Sequence, residues 1–228
     1  MAGAPPLQRT ALLAGVTGLV GRALLHQLLE SERYLRLHVL LRRAAADISE
    51  SNKLKPQVVD FADLPRPLPA TDDVYIALGT TIKAAGSQAA FRQVDFDFVV
   101  ATAQAARAAG ARHLAVVSAL GADAGSRVFY NRVKGDMQAA LAKLGYASVN
   151  IAQPSLLLGD RAALGQPVRN GEVWASRLLG PVMRLVPASV RPIPASVVAA
   201  ALLRANLAAR HGVQLLSSAD MLAARHGP

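Results

Sequence analysis

The feature that most constrains this chain is a short apolar run that ends in three evenly spaced glycines. Residues 11–14 are apolar on both faces and stop at Gly15, which predicts a buried strand that ends in a turn. Gly18 and Gly21 follow at intervals of three, and an amphipathic helical pattern begins at Leu19. A strand, a glycine turn and a helix in this order favour a phosphate cradle, because glycines let the backbone and the helix N-terminus approach an anion. The alternative is an ordinary strand-to-helix turn, which needs fewer glycines.

The rest of the chain alternates between predicted strands and predicted helices. Short apolar runs indicate strands, and apolar residues that repeat at three and four positions indicate helices. This alternation is typical of a doubly wound parallel sheet, so the sequence predicts an α/β Rossmann fold in one domain, 1–228, with a small C-terminal substrate lobe. Strands are predicted at 11–14, 37–41, 57–59, 73–78, 113–117, 147–152 and 213–217, helices at 19–31, 91–109, 133–144 and 195–207, and a loop at 83–90.

Composition excludes several other classes of protein. The chain has 228 residues and 52% hydrophobic content, which is enough to bury one full core. It has no cysteine, so disulfides and thiolate chemistry are excluded, and its histidines lack metal-ligand spacing with carboxylates. Residues 1–8 do not resemble a signal peptide, and no apolar run approaches the ~18 residues of a membrane span. We therefore expect a cytoplasmic protein without a membrane span.

The net charge of +10 raises the question of a nucleic-acid partner. The arginines are scattered and lack the interleaved aromatic residues of a stacking platform, so we expect none. Beyond residue 160 the arginines far outnumber the two acidic residues, which favours an anionic small-molecule substrate or is simply a solvated surface. Residues 155–194 are predicted to form a lid over the substrate. Because the stretch 172–186 is basic and amphipathic, membrane or partner binding is the alternative.

Two arginines predict which dinucleotide the chain prefers. Arg42 and Arg43 directly follow the second predicted strand, about 20 residues past the glycine turn. An acidic residue at this point would accept hydrogen bonds from the ribose 2′-hydroxyl of NAD. Arginines instead offer positive charge and planar donors to a 2′-phosphate. The pair therefore predicts NADP(H) in preference to NAD(H), unless it only solvates the end of the strand.

A second group of polar residues predicts redox chemistry on a carbonyl or hydroxyl group. Ser118 ends the fifth predicted strand, and Tyr130 and Lys134 are four residues apart on one face at the start of the next helix. A lysine ammonium near a tyrosine stabilises the phenolate, so the phenol can exchange a proton near neutral pH. A serine hydroxyl can hold the substrate oxygen while a nicotinamide transfers hydride. Asp95, beside the apolar stripe of the preceding helix, is either a solubilising residue or a neighbour of this site.

These motifs resemble those of the short-chain dehydrogenase/reductase superfamily, in its atypical or extended branch. The resemblance rests on the glycine turn, the arginine pair, Ser118 and the sequence YNRVK at 130–134. The stretches 77–81, 94–95 and 191–193 are similar to the small Tat-interacting-protein-type oxidoreductases. The resemblance implies an NADP(H)-dependent oxidoreductase. Because that branch also includes regulators that bind NADP without known turnover, an NADP-sensing, partner-binding protein is the alternative.

The resemblance also implies a role for each matching position. Ser118, Tyr130 and Lys134 would be catalytic, and Lys134 would also contact the ribose. Asp60 would contact the adenine, and the loop 79–81 would lie beside the nicotinamide ribose. The full set of expected cofactor-binding residues is Gly15, Thr17, Gly18, Leu19, Val20, Gly21, Arg42, Arg43, Asp60, Leu78, Gly79, Thr80, Thr81 and Lys134.

Overall fold

A parallel sheet is the centre of the fold. The computed structural model describes residues 8–44, 51–159, 187 and 190–224. The strands within them are β1 (Arg9–Ala14), β2 (Tyr34–Leu41), β3 (Leu54–Val58), β4 (Asp73–Ile76), β5 (His113–Val117), β6 (Ser148–Gln153), β7 (Leu157–Leu158), β8 (Ile193–Pro194) and β9 (Gly212–Ser217). Seven of them form one parallel sheet in the order β3-β2-β1-β4-β5-β6-β9, and β7 pairs with β8.

Helices cover both faces of this sheet. They are α1 (Leu19–Glu30), α2 (Ile82–Ala85), α3 (Gln88–Arg92), α4 (Phe98–Ala108), α5 (Phe129–Ala142), α6 (Ala195–Ala208) and α7 (Ser218–Ala223), and a π-helical turn (Gln93–Asp97) joins α3 to α4. The helices α1 and α6 pack together on one face, and α4 and α5 pack on the other. The predicted doubly wound α/β fold is confirmed.

The strand order indicates where a ligand would bind to this sheet. The chain builds outward from β1 to β3, and then returns to the other side of β1 with β4, where Ala14 lies beside Ile76. In open α/β sheets, ligands bind outside the carboxyl ends of the strands at this point of reversal. The segments that follow β1 and β4 therefore face the same crevice.

The two cores explain the uninterrupted apolar run of β1. Leu13 contributes to the core under α1 and α6, whereas Leu12 contributes to the core under α4 and α5. All four residues from Ala11 to Ala14 are 0% exposed, because β1 is central and covered on both faces.

A buried polar cluster lies at the opposite edge, where the strands begin. The carboxylate of Asp73 accepts a hydrogen bond from the Tyr34 hydroxyl at 2.6 Å and pairs with the Arg9 guanidinium at 3.3 Å. The Tyr34 and Tyr75 hydroxyls are also 2.6 Å apart. Burial raises the pKa of Asp73 to about 6, although Tyr34 and Arg9 oppose this shift.

The structure corrects several of the predicted boundaries, among them that of the helix predicted at 133–144, which begins four residues earlier at Phe129. The strands β2 and β3 begin at Tyr34 and Leu54, three residues earlier than predicted. The loop predicted at 83–90 is wrong, since α2 and α3 cover most of it. Thr81 and Ser87 start these helices by accepting hydrogen bonds from the backbone N–H groups of Ala84 and Ala90. Apolar periodicity could not reveal α2, because none of its residues is buried.

Three further predictions concern a membrane span, the lid and a metal site. None of the described helices combines the length and the apolar character that crossing a bilayer requires. Most of the predicted lid at 155–194, including the amphipathic stretch 172–186, lies outside the described residues. The described part contains no cluster of three or more His, Asp or Glu side chains that could hold a metal ion.

Candidate cofactor and catalytic site

The glycine turn after β1 is packed too closely for side chains. Gly15 has a φ of +92°, and a Cβ at this position would collide with the carbonyl group of Ala77. A Cβ on Gly21 would collide with the carbonyl oxygen of Gly15. These two glycines therefore let α1 pack against the turn and let the turn pack against the end of β4.

The N-terminus of α1 opens at this turn. Gly18 is its N-cap in an extended conformation, without a side-chain cap, and its own N–H donates to the Gly15 carbonyl at 3.1 Å. The first N–H groups of a helix have no partner within the helix, so those of Leu19, Val20 and Gly21 can donate to an anion. The Val20 side chain is buried in the core, so only its backbone is available to a ligand.

The predicted adenosine-side residues lie together at the carboxyl ends of β2 and β3. Arg42 and Arg43 are exposed, and neither forms an ion pair with any described residue. The Val59 N–H donates to the Leu41 carbonyl at 2.8 Å, which brings Asp60 alongside the arginines. One Asp60 oxygen accepts a hydrogen bond from the Ala62 N–H at 2.8 Å and fixes the local turn. Two cations are thus available beside the glycine turn.

The loop after β4 lies directly over a buried ion pair. The Thr80 N–H donates to Oδ2 of Asp95 at 2.8 Å, and the other oxygen of Asp95 is 2.8 Å from the Lys134 ammonium. The side chains of Lys134 and Asp95 are only 5% and 1% exposed. At Gly79 a Cβ would lie 3.3 Å from the Asp95 carboxylate and 3.9 Å from the Lys134 nitrogen. The loop, Asp95 and Lys134 therefore form one connected unit.

Asp95 is the residue whose role sequence reasoning left open. Of the two alternatives, the structure supports the neighbour of the site and not the solubilising residue, because Asp95 is buried and paired with Lys134. It lies within the π-helical turn, and such turns are frequent at functional sites. The predicted pair of Tyr130 and Lys134 is therefore joined by a third residue, because the carboxylate of Asp95 balances the charge of the ammonium.

Tyr130 is held by its ring and not by its hydroxyl. Its ring packs on the fully buried ring of Phe91, with the centroids 5.4 Å apart. No described residue forms a hydrogen bond with the Tyr130 hydroxyl. Phe91 and Tyr130 are each four residues before Asp95 and Lys134, so the ring contact and the ion pair join the same two helices at matching positions. The hydroxyl is thereby left available to a substrate.

Ser118 is buried, and its side chain is bonded to Gln138, which is bonded in turn to Gln153. Its backbone N–H donates to the Ala152 carbonyl at 2.8 Å, which extends the pairing of β5 with β6. The amide nitrogen of Gln138 donates to the Ser118 hydroxyl oxygen at 2.6 Å, and the amide nitrogen of Gln153 donates to the Gln138 carbonyl oxygen at 3.2 Å. Sequence reasoning missed both glutamines. The position of Gln138, four residues after Lys134 on the same helix, is the signal that could have revealed it.

The predicted site residues therefore collect at one edge of the sheet. The glycine turn, the arginine pair, Asp60, the loop 78–81 and Ser118 each follow the carboxyl end of a different strand. Lys134 joins them through Asp95. No hydrogen bond links Ser118 directly to Tyr130 or Lys134 within the described residues.

Comparison with known proteins gives a consistent result. A family model described as NAD(P)H-binding matches residues 15–156. Protein HTATIP2 of Rattus norvegicus is 32% identical over 176 residues, which are 75% of this chain and 71% of that protein. The mitochondrial protein FMP52 of Eremothecium gossypii is 35% identical over 153 residues, which are 66% of this chain and 67% of that protein.

Solved structures share the fold at low sequence identity. An oxidoreductase of the short-chain dehydrogenase/reductase family from Burkholderia thailandensis has a TM-score of 0.68 at 21% identity, covering 95% of this chain and 93% of that one. MoeE5 in complex with UDP-glucose and NAD has a TM-score of 0.67 at 17% identity, covering 91% of this chain and 75% of that one. At these identities the likeness extends to the fold alone.

Proposed function

We propose that this chain, which belongs to the NAD(P)H-binding family, is an NADP(H)-dependent oxidoreductase of the atypical short-chain dehydrogenase/reductase type. It would act on a carbonyl or hydroxyl group. One observation supports this proposal most strongly. The ammonium of Lys134 is held by Asp95 directly beneath the loop that contains Gly79, and Tyr130 is one helical turn away with a hydroxyl to which no described residue is hydrogen-bonded.

The residues around the glycine turn fit a dinucleotide. A side chain at Gly15 would collide with Ala77, and one at Gly21 would collide with Gly15, so the close packing of the turn requires glycine at both positions. The first N–H groups of α1 are available to a pyrophosphate. The loop 78–81 and Lys134 would hold the nicotinamide ribose. When bound, the nicotinamide supplies or accepts the hydride.

The chain's own residues would manage the proton and the substrate oxygen. In the direction of carbonyl reduction, the oxygen gains negative charge as its carbon receives hydride. The Tyr130 hydroxyl would give its proton to that oxygen, which becomes a hydroxyl and leaves a phenolate. Lys134 would stabilise the phenolate, and the Ser118 hydroxyl would donate a hydrogen bond that orients the substrate oxygen.

The preference for NADP(H) over NAD(H) rests on Arg42 and Arg43. We expect the double variant Arg42→Ala, Arg43→Ala to reduce the ratio of NADPH to NADH affinity at least about tenfold, since a hydrogen bond to a charged group is worth about 1.5–3 kcal/mol. Calorimetric titration measures both affinities. Arg36→Ala is the matched control, because Arg36 is exposed on the same strand but far from its carboxyl end. Equal affinity of the native protein for the two cofactors would contradict the proposal.

The catalytic role of Tyr130 has a test that leaves its packing intact. Tyr130→Phe keeps the ring on Phe91 and removes only the hydroxyl, so turnover should fall by about 10²–10⁴ while cofactor affinity changes little. Oxidation of NADPH with a panel of aldehydes and ketones is the assay. Tyr146→Phe is the control, because the Tyr146 hydroxyl donates to the Ala103 carbonyl at 2.7 Å, away from the site. Turnover at the native rate in Tyr130→Phe would argue against an acid–base role.

One observation favours the second candidate, an NADP-sensing regulatory protein without turnover. The carboxylate of Asp95 neutralises the Lys134 ammonium, so less positive charge remains to stabilise a phenolate at Tyr130. NADPH binding without oxidation by any carbonyl in the panel would support this alternative. Both candidates share the cofactor site, so only turnover separates them.

We extend the proposal to a substrate lid at 155–194. The strands β7 and β8 pair in parallel, the Ile193 N–H donates to the Leu156 carbonyl at 2.9 Å, and the Ser155 hydroxyl donates to the Arg191 carbonyl at 2.6 Å. The two ends of the segment thus lie side by side, just after the carboxyl end of β6. The arginines between residues 160 and 191 would favour an anionic substrate. A cytoplasmic location stays a prediction, since the FMP52 relatives are mitochondrial by name.

A further inference from the structure

A chain of three hydrogen-bonded polar side chains ends at Ser118, beside the proposed substrate position, and its two glutamines have no part in the roles given above. Gln153 ends β6, Gln138 is on α5, and Ser118 follows β5. The hydrogen bonds run in one direction, from the Gln153 amide nitrogen to the Gln138 carbonyl oxygen and from the Gln138 amide nitrogen to the Ser118 hydroxyl oxygen. Each glutamine thus donates toward the serine.

This direction decides what Ser118 can offer to a ligand. A serine hydroxyl has one proton to donate and two lone pairs that accept. Because Gln138 fills a lone pair, the proton stays uncommitted, and the described residues provide no other hydrogen-bond partner for this hydroxyl. A glutamine amide could equally present its carbonyl oxygen, and in that case the serine would donate inward and present only lone pairs outward.

We propose that Gln153, acting through Gln138, is a positioning residue that keeps Ser118 as a hydrogen-bond donor toward the substrate oxygen. This inference rests on the proposed oxidoreductase function. A carbonyl oxygen can only accept hydrogen bonds, and its need for a donor grows as negative charge develops on it. Lone pairs on an inverted Ser118 would repel that charge. The two glutamines therefore tune the site toward substrates that present an acceptor.

The backbone around Ser118 is held in place by hydrogen bonds to the end of β6 and to the segment that follows it. The Ser118 N–H is bonded to the Ala152 carbonyl at 2.8 Å, and the Leu120 N–H to the Pro154 carbonyl at 2.9 Å. Ser118 itself is only 5% exposed. Because the main chain is held in this way, the freedom left to Ser118 is rotation of its hydroxyl group. The hydrogen bond from Gln138, which Gln153 orients, controls this rotation.

Gln153→Glu should reverse the direction of both hydrogen bonds without changing the size or shape of the side chain. A carboxylate only accepts hydrogen bonds, so Gln138 must turn its amide nitrogen toward residue 153 and its carbonyl oxygen toward Ser118. Ser118 then donates inward, and kcat/KM for carbonyl reduction should fall about 10- to 100-fold, the usual worth of a hydrogen bond to a charged oxygen. NADPH affinity, followed by cofactor fluorescence, should stay unchanged.

Gln153→Met is the matched comparison because it has a similar length and cannot hydrogen bond. It removes the bond without inverting the chain, so its loss of kcat/KM should be smaller than that of Gln153→Glu. A merely structural role predicts the reverse order, since glutamate keeps a hydrogen bond that methionine loses. Gln138→Glu is a second variant that should reverse the Ser118 hydrogen bond, because its carboxylate would accept hydrogen bonds from both neighbours. It replaces Gln153→Glu if thermal denaturation shows that Gln153→Glu is poorly folded.

A double-mutant cycle with Ser118→Ala separates this effect from simple charge or folding effects. If Gln153→Glu acts through the serine hydroxyl, it should cause no further loss of kcat/KM in the Ser118→Ala background. A further loss of the same size in that background would overturn the inference. So would a native rate in Gln153→Glu when Ser118→Ala is slow, and in that case the proposed function would survive. A native rate in Ser118→Ala would also overturn the inference and leave the proposed function standing, whereas no turnover with any carbonyl would overturn both.

Discussion

Asp73→Asn perturbs the polar cluster at the edge of the sheet away from the proposed site. Asp73 is 0% exposed and accepts a hydrogen bond from the Tyr34 hydroxyl at 2.6 Å. Burial raises its pKa from the ordinary 3.8 to about 6. Asparagine retains an oxygen that can accept from Tyr34 but cannot titrate. The variant therefore removes one proton equilibrium from folding while preserving most of the packing.

The direction of the effect follows from the raised pKa. Between pH 3.8 and about 6, Asp73 binds more protons in the folded than in the unfolded protein, so its contribution to stability is fully present below pH 3.8 and is lost as the pH rises through 6. At about 1.4 kcal/mol for each pH unit, the whole loss is about 3 kcal/mol. About 2 kcal/mol of it falls between pH 4.5 and pH 8, where the unfolded side chain is already mostly ionised.

Urea denaturation at pH 4.5 and pH 8 measures this difference. Relative to Asp73→Asn, the native protein should lose about 2 kcal/mol more of its free energy of unfolding on going to the higher pH. Asp72→Asn is the control, because Asp72 is an exposed neighbour that accepts a hydrogen bond from the Thr10 N–H at 2.8 Å. The same pH dependence in native and Asp73→Asn protein would refute the reasoning. It would mean that the carboxylate of Asp73 is as well solvated in the fold as in the unfolded chain.

Two further substitutions test the proposed site. Gly21→Ala should weaken NADPH binding about tenfold or more in calorimetric titration, because its Cβ must displace the turn, whereas Gly125→Ala, which meets nothing closer than 3.5 Å, should not. Asp95→Asn should lower the free energy of unfolding by about 3–5 kcal/mol in urea titration, because it leaves Lys134 buried without its counter-ion. Asp136→Asn breaks a half-exposed pair and should cost less than about 1 kcal/mol. Equal losses in the two aspartate variants would contradict the assignment of a buried pair, and equal losses in the two glycine variants would contradict the cradle.

The fold could be predicted because its strongest features are local in the sequence. The four apolar residues before Gly15 predict a strand that is buried on both faces. The alternation of strands and helices that follows predicts a parallel sheet. The short helices after Thr81 and Ser87 were missed because side-chain caps, and not apolar periodicity, define where they begin.

The site could be predicted only in part because its members act across the fold. Ser118, Tyr130 and Lys134 are visible from type and spacing. The partners of Gln138 and Lys134 are not, because Gln153 and Asp95 come close only after β6 and the π turn have packed against α5. Burial distinguishes Asp95 from a surface carboxylate, and burial is a property of the tertiary structure.

The π-helical turn has a consequence for insertions and deletions in this part of the chain. Phe91, Asp95, Val99 and Ala103 are spaced by four residues and all are at most 1% exposed. In a regular α-helix a four-residue step drifts by about 40° around the axis, so this row would wind away from its partners. The wider turn at Gln93–Asp97 takes back part of that drift. Deleting a single residue there would let the turn close to regular α-helical geometry, whereas deleting one from the regular part of α4 would rotate everything downstream by about 100°. The length of this helix is therefore a constraint as strict as the identity of any side chain on it.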